Sequence, residues 1–345
     1  QQMEVMFETL RRIYSLYGIT PLDTPAIEAA EELLAKGGGE TEKQMYRFMK
    51  GSSDLALRFD LTVPLAKYVA ANYGQLAFPF RRYQIGKVWR GERAQRGRFR
   101  EFYQADIDVI GDGKLDIMND AEVPAVICRA FTELGLEDFT IRINNRKVLG
   151  GYFELVGITD KLTEALRTVD KLEKIGAEKV HELLKSECGL DDAAADRVLE
   201  FVTLSGTDEE KLAFLDEHAH ENARLAEGAA ELRTVIEALP SLGVAKENFA
   251  IARGLDYYTG TVYETVVNSH PEIGSVCSGG RYDNLAEYYT DKQLPGVGMS
   301  IGVTRLFYVL SEQGLINPAV NTAPCDAIVL PMTEDTAFAA HAATV

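Results

Sequence analysis

The side chains with most capacity for chemistry are concentrated between positions 81 and 108. From 81 to 100 there are eight basic residues, Arg81, Arg82, Lys87, Arg90, Arg93, Arg96, Arg98 and Arg100, against one acid, Glu92. Guanidinium groups present N–H donors in a planar fork that matches phosphate oxygens, so the cluster suits a polyphosphate or a locally contacted RNA. The net charge of −17 over 345 residues argues against a protein that coats nucleic acid, because phosphate binding needs concentrated Lys and Arg. Between 160 and 240 the balance reverses, with 20 acidic residues against 10 basic. The pattern is a focused cationic site on an acidic body.

The run from Arg98 to Val109 alternates like a strand. Arg98, Arg100, Gln104, Asp106 and Asp108 fall on one side, and Phe99, Tyr103, Ile107 and Val109 on the other. Periodicity alone is equally compatible with an exposed sheet surface and with a site-lining face. The preceding strand ends in Arg90, before a seven-residue loop rich in Arg and Gly. Such a hairpin can bring guanidinium groups over a floor of carboxylates and amides. Arg93 and Arg96 read as solvated loop charges or RNA contacts. The glycines of 296–302 are one residue off dinucleotide-binding spacing, and no βαβ unit follows them.

These residues must be positioned by the elements around them. Met3, Met6, Phe7, Leu10, Ile13, Tyr14 and Tyr17 recur at helical spacing. A helix at 27–35, a glycine loop at 37–39, strand-like runs at 44–49 and 55–59 and a helix at 63–71 follow. Two long antiparallel strands fill 83–110, a helix 122–134 and a strand 139–143. Residues 150–242 are helical throughout. Strands return at 249–258 and 261–267, joined by Thr259 and Gly260 as a two-residue hairpin turn, and 296–302 leads into a helix at 303–310. A buried strand at 327–330 and a helix near 335 begin a new unit. Successive antiparallel strands with helices set apart imply an α+β fold, not a doubly wound parallel sheet.

Cys128, Cys188, Cys277 and Cys325 are too scattered for a CxxC metal or redox site, and the five histidines form no ligand set. His218 and His220 are expected to face solvent. No apolar run reaches the roughly 18 residues of a membrane span. The first residue is not Met, which leaves a removed leader open.

Four ordered motifs carry a family resemblance. Arg90-Gly-Glu-Arg with Gly97-Arg-Phe-Arg-Glu-Phe-Tyr-Gln resembles the second signature motif of class II aminoacyl-tRNA synthetases, and Gly296-Val-Gly-Met-Ser-Ile-Gly-Val-Thr-Arg305 the third. Arg253-Gly-Leu-Asp-Tyr-Tyr-Thr-Gly-Thr-Val-Tyr-Glu and Ser278-Gly-Gly-Arg-Tyr-Asp look like the two motifs of the histidyl-tRNA synthetases. The resemblance implies a class II synthetase-type antiparallel sheet flanked by helices. It implies a catalytic core in two parts (1–149 and 244–320), a helical insertion domain (150–243) and the start of an α/β anticodon-binding domain (325–345).

The resemblance also implies site residues. Asp60 and Thr62 with Gln104 would hold the α-amino group of histidine, Leu61 belongs to the same segment, and Asp108 and Tyr258 would read the imidazole, with Tyr257 beside them. Arg90 would meet the α-phosphate of ATP, Glu92 the adenine edge, Arg98 the far phosphates and Arg305 the γ-phosphate and adenine face, with Gly280 allowing close approach of the adenylate. Arg253 and Arg90 would be catalytic, Arg253 standing where other class II enzymes use a metal ion, so that no protein-held metal is expected. The implied partners are ATP with Mg2+, L-histidine, histidine-accepting tRNA and a second copy of the chain, joined through the first helix and 21–27, in the cytoplasm and without a membrane. Rival readings are the histidine-sensing regulatory subunit of ATP phosphoribosyltransferase, a synthetase for another amino acid, and a non-catalytic RNA- or protein-binding module. The retention of Arg90, Glu92, Arg253 and Arg305 favours the enzyme.

Overall fold

The computed structural model describes residues 2–34, 39–92, 97–169, 171–251, 258–283, 286–314 and 329–342. Its strands, in chain order, are β1 (Thr20–Pro21), β2 (Ile27–Ala29), β3 (Arg47–Lys50), β4 (Ser53–Leu57), β5 (Phe80–Trp89), β6 (Glu101–Ile110), β7 (Phe139–Asn145), β8 (Phe249–Ile251), β9 (Thr261–Val267), β10 (Ser275–Tyr282) and β11 (Gly296–Gly302). Eight of them form one sheet in the order β1-β5-β6-β11-β10-β9-β7-β8, and β2-β4-β3 form a second. The six central strands of the large sheet are antiparallel throughout, while short β1 and β8 add parallel edges on β5 and β7. The α+β class II-type architecture expected from the sequence is the one observed.

The alternation of β6 assigns its two faces different tasks. Tyr103, Ala105, Ile107 and Val109 point toward the helices and belong to the main hydrophobic core. The helix Gln2–Leu16 lays Met6, Phe7, Leu10, Ile13 and Tyr14 onto this side, a spacing that puts all five on one helical stripe. The ring of Phe7 lies 4.9 Å from that of Tyr103, and that of Tyr14 lies 5.4 Å from Tyr83 on β5. With one face covered by helices, the other is left to form a site.

Helices occupy most of 146–242. Arg146–Leu155 and Ala223–Ala238 pack against each other, and Ala223–Ala238 also meets Met118–Glu133 and β7. Between them run Leu162–Val169, Leu172–Ile175, Ala177–Cys188, Asp192–Val202 and Asp208–Ala219. Their starts follow capping chemistry: Asp191 and Asn222 accept amide N–H groups of the first turn, and Thr207 with Glu210 forms a capping box. The block also holds β8, since the Ile251 amide donates to Asp208 and its carbonyl accepts from Lys211, both at 2.9 Å.

Four expectations change. The stretch expected as a helix over 27–35 opens as strand β2, paired with β4, and its described helical part is Ala30–Leu33. β8 and β9 are not a hairpin, because β7 lies between them and pairs with β8 in parallel. Ala327 and Ile328 lie outside the described residues, and Val329 and Leu330 are exposed, not buried. His218 is half-buried, bonded to Glu221 at 2.7 Å and packed against Phe214, while His220 is exposed. Among the described residues, no helix is long and apolar enough to cross a membrane. Cys128, Cys188 and Cys277 are buried free thiols.

Candidate active site

Strand register builds the floor of the site. Arg82, Asp108, Gly298, Gly280 and Val262 stand in one row across β5, β6, β11, β10 and β9. Gln84, Asp106, Ser300, Ser278 and Glu264 form the next. The rows are two residues apart on every strand and therefore share a face. A cavity of about 700 Å³ opens on it, lined by Asp60, Thr62, Arg90, Gln104, Asp106, Asp108, Tyr258, Ser278, Tyr282 and Ser300 among others.

In the first row, glycine makes room for larger side chains. A Cβ on Gly298 would collide with the Asp108 carboxylate and the Ile107 carbonyl, and one on Gly280 would lie 2.6 Å from Cγ of Tyr258. Gly280 thus supports Tyr258, in the row of Asp108, on the carboxylate side of the site. Asp108 is 3% exposed and is held from both sides, by Arg82 in an ion pair at 2.7 Å and by the Tyr282 hydroxyl, which donates at 2.7 Å. Burial raises the Asp108 carboxyl above its ordinary value, and Arg82 and Tyr282 oppose that rise. Burial likewise raises Tyr258, so its hydroxyl stays protonated and able to donate.

Asp60 begins the helix Thr62–Asn72, where its Oδ1 accepts the amide N–H groups of Thr62 at 3.1 Å and Val63 at 2.9 Å. These bonds fix the carboxylate at the cavity edge. Leu61 does not line the cavity: its side chain is fully buried, and its carbonyl accepts from Arg82 at 3.1 Å. On β6, Gln104 donates through Nε2 to Ser300 at 2.8 Å, while its Oε1 is buried without a partner.

A second cavity, of about 130 Å³, adjoins the first and shares Arg90, Gln104, Ser278 and Ser300 with it. Glu92, Arg98 and Arg305 line only this one. Arg90 is sandwiched near the rings of Phe59 and Phe102, at 4.4 and 5.3 Å, and donates to the Phe59 carbonyl at 3.2 Å. Phe102 therefore shares the face of Gln104 and Asp106, which is less uniformly polar than the alternation suggested. Burial lowers the Arg90 guanidinium, and burial followed by the neighbouring Arg98 lowers Arg305. Asp60, Glu92 and Asp106 oppose the fall at Arg90 and Glu92 that at Arg305, and an anion placed between the two cations would oppose it further. Arg305 also donates to the carbonyls of Gly97 at 3.1 Å and Ser275 at 2.6 Å, and Arg98 pairs with Glu92 at 3.2 Å.

β6 begins at Glu101, so Arg98 and Arg100 lie in the loop before it. Arg98 reaches the smaller cavity; Arg100 is exposed and donates to the Glu92 carbonyl at 3.3 Å. Arg253, Tyr257, Arg93 and Arg96 lie outside the described residues. The structure thus brings together Asp60, Thr62, Gln104, Asp108, Tyr258, Arg90, Glu92, Arg98 and Arg305 around two joined cavities. Sequence reasoning assigned no role to Tyr282, Ser300 or Arg58, and counted Arg82 with the phosphate-suited cluster, whereas it pairs with Asp108. Arg58 is buried, donating to the carbonyls of Lys87 at 2.8 Å and Thr24 at 2.6 Å. The signal available for Arg82 was its place opposite Asp108, which needs the strand register.

Comparison with known proteins gives concordant matches. The family profile described as histidyl-tRNA synthetase matches residues 1–306. The histidine–tRNA ligase of Clostridium tetani is 56% identical over 331 residues, covering 95% of this chain and 75% of that protein. The crystal structure of histidyl-tRNA synthetase from Nostoc sp. PCC 7120 superposes with a TM-score of 0.85 at 40% identity, covering 98% of this chain and 78% of that one. A structure from Bacillus halodurans, titled as an ATP phosphoribosyltransferase regulatory subunit/histidyl-tRNA synthetase, shares the fold with a TM-score of 0.74 at 24% identity, over 91% of this chain and 78% of that one.

Proposed function

We infer that this chain, which belongs to the histidyl-tRNA synthetase family, joins histidine to tRNA in two steps, activation by ATP and transfer to the tRNA 3′ end. The observation that carries this reading is the junction of the two cavities. A pocket edged by Asp60, Asp106 and Asp108 opens, across Arg90 and Gln104, into one lined by Arg90, Arg98 and Arg305 with Glu92 as its acid. The first suits an amino acid's ammonium group and a ring N–H, the second a polyanion, and their shared wall brings a carboxylate beside a phosphate.

In the activation step a histidine carboxylate oxygen attacks the α-phosphorus of ATP in line and pyrophosphate leaves. Asp108 accepts a ring N–H and the Tyr258 hydroxyl donates to the other ring nitrogen, a pairing that apolar amino acids of similar size cannot satisfy. Asp60, Thr62 and Gln104 orient the α-amino group. Arg90, desolvated and stacked between Phe59 and Phe102, faces the charge that builds on the α-phosphate, where a preorganised cation lowers the barrier. Arg98 and Arg305 hold the outgoing phosphates and Glu92 the adenine edge. Arg253 is assigned to the α-phosphate on family likeness.

Magnesium enters this scheme with ATP, whose phosphate charge it neutralises. A second copy of the chain is placed on the side of Gln2–Leu16 and Ile27, where Val5, Leu16 and Ile27 remain exposed. The reading places the protein in the cytoplasm.

Histidine-dependent exchange of pyrophosphate into ATP tests the reading. The purified chain is expected to catalyse it with histidine and not with the other amino acids, and R253A to slow it roughly a hundredfold. Histidine binding without exchange would instead support the histidine-sensing paralogue.

A further inference from the structure

We propose that Asp106 is a further acceptor for the substrate's α-ammonium group, joining Asp60, Thr62 and Gln104 around its three N–H donors. This rests on the assignment of the larger cavity to histidine.

Asp106 projects from β6 between Gln104 and Asp108, lines the larger cavity and is 2% exposed. Its Oδ1 and the neighbouring Oε1 of Gln104 are both buried acceptors without a hydrogen-bond partner. Buried acceptors are rarely left unpaired, and two that line one cavity together are open to a ligand's donors.

Most surrounding side-chain donors are turned to other acceptors; the Ser300 hydroxyl bonds to Asp106, and Nε and Nη1 of Arg82 are buried without a partner. Gln84, opposite Asp106 on β5, gives Nε2 to Asp23 at 2.7 Å and accepts from Thr24 at 3.1 Å. Gln104 Nε2 goes to Ser300, the Tyr282 hydroxyl to Asp108, and Nη2 of Arg82 to Asp108 and the Leu61 carbonyl. Asp60 keeps one oxygen for the Thr62 and Val63 amides and has its second for a ligand. Neutral imidazole carries one N–H, for which Asp108 already stands. A primary ammonium carries three, together with the positive charge that a second free carboxylate calls for.

The charged and titratable groups acting on Asp106 come from every side: Arg82 on β5, Asp108 on its own strand, Asp60 before the helix, Arg58 and Arg90, with Tyr14, Tyr258 and Cys277 also near enough to feel its charge. Burial pushes Asp106 up to about 7, so an incoming ammonium displaces a proton from a partly protonated carboxyl.

The test uses two competitors of histidine-dependent exchange that differ only in the amine: histidinol and 3-(imidazol-4-yl)propan-1-ol. In D106N, inhibition by histidinol is expected to weaken about tenfold or more, with inhibition by the deamino alcohol unchanged within about twofold. Equal weakening of both, or of neither, overturns the proposal. A wild-type chain that shows no histidine-dependent exchange overturns the functional reading itself, which separates the two failures. Calorimetry of the wild-type chain at pH 7 in buffers of different ionisation enthalpy supplies a measurement independent of the variant's folding. Histidinol is expected to release roughly half a proton more than the deamino alcohol; identical proton release overturns the proposal.

Discussion

Replacing Asp106 by asparagine is expected to stabilise the unliganded protein, by an amount that grows with pH. Burial, opposed by Arg82 and reinforced by Asp108, moves this carboxyl from an ordinary 3.8 up to about 7. A group whose folded-state value lies above its unfolded one favours folding only while it is protonated. The favourable contribution is complete below pH 3.8 and is lost as the pH climbs through 7. Fully ionised, a carboxyl so displaced costs roughly 4 kcal/mol, of which roughly 2–3 kcal/mol falls between pH 5 and pH 8. The asparagine variant has nearly the same shape and no ionisation, so subtracting its pH dependence from that of the wild type isolates Asp106. Urea denaturation of both proteins without ligands, at pH 5 and pH 8, supplies the four values. The advantage of D106N should be larger at pH 8 by roughly 2–3 kcal/mol. A gap that is constant, or that widens toward acid, would refute the claim that burial outweighs Arg82 and Ser300 at this carboxyl. A destabilising group kept at the centre of a site fits the trade of stability for function.

R82M leaves the Asp108 carboxylate buried without its cation and is expected to lower stability by roughly 3–5 kcal/mol at pH 8, the loss shrinking as falling pH protonates Asp108; denaturation midpoints across pH check this. G298A forces Asp108 aside, because the new methyl meets its carboxylate, and should raise KM for histidine about tenfold or more in pyrophosphate exchange with little change in KM for ATP. R305A removes a cation from the smaller cavity and frees the carbonyls of Gly97 and Ser275. It should raise KM for ATP about tenfold or more, leaving KM for histidine within about twofold.

Much of the core was legible in sequence because its elements announce themselves by period. The long hairpin of β5 and β6 follows from alternation on either side of a basic loop, and the first helix from five apolar residues on one stripe. β10 was harder to read: Ser278, Gly279 and Gly280 interrupt its apolar alternation, and glycine weakens a strand's signal. Those glycines are where neighbouring backbones and the Tyr258 ring approach too closely for a side chain. The link between Arg82 and Asp108 depends on a register spanning the loop from 90 to 100, whose length alone does not set the pairing. β8 shows a related limit: its apolar residues suggest a strand but not a partner, and it joins β7 in parallel across 103 residues of helical and connecting chain. Asp60, Thr62, Gln104 and Asp108, expected from family likeness to hold histidine, line the larger cavity, whereas Leu61 was included for its place between Asp60 and Thr62 and its side chain is buried away from it.

One arrangement is central: histidine and ATP side by side across the wall formed by Arg90 and Gln104. A crystal structure with a non-hydrolysable histidyl-adenylate analogue tests it most directly. The imidazole is expected between Asp108 and Tyr258, the α-ammonium at Asp60, Gln104 and Asp106, and the phosphate mimic against Arg90. An analogue bound with its imidazole away from Asp108, or with its phosphate mimic outside the arginine-lined cavity, would contradict the account.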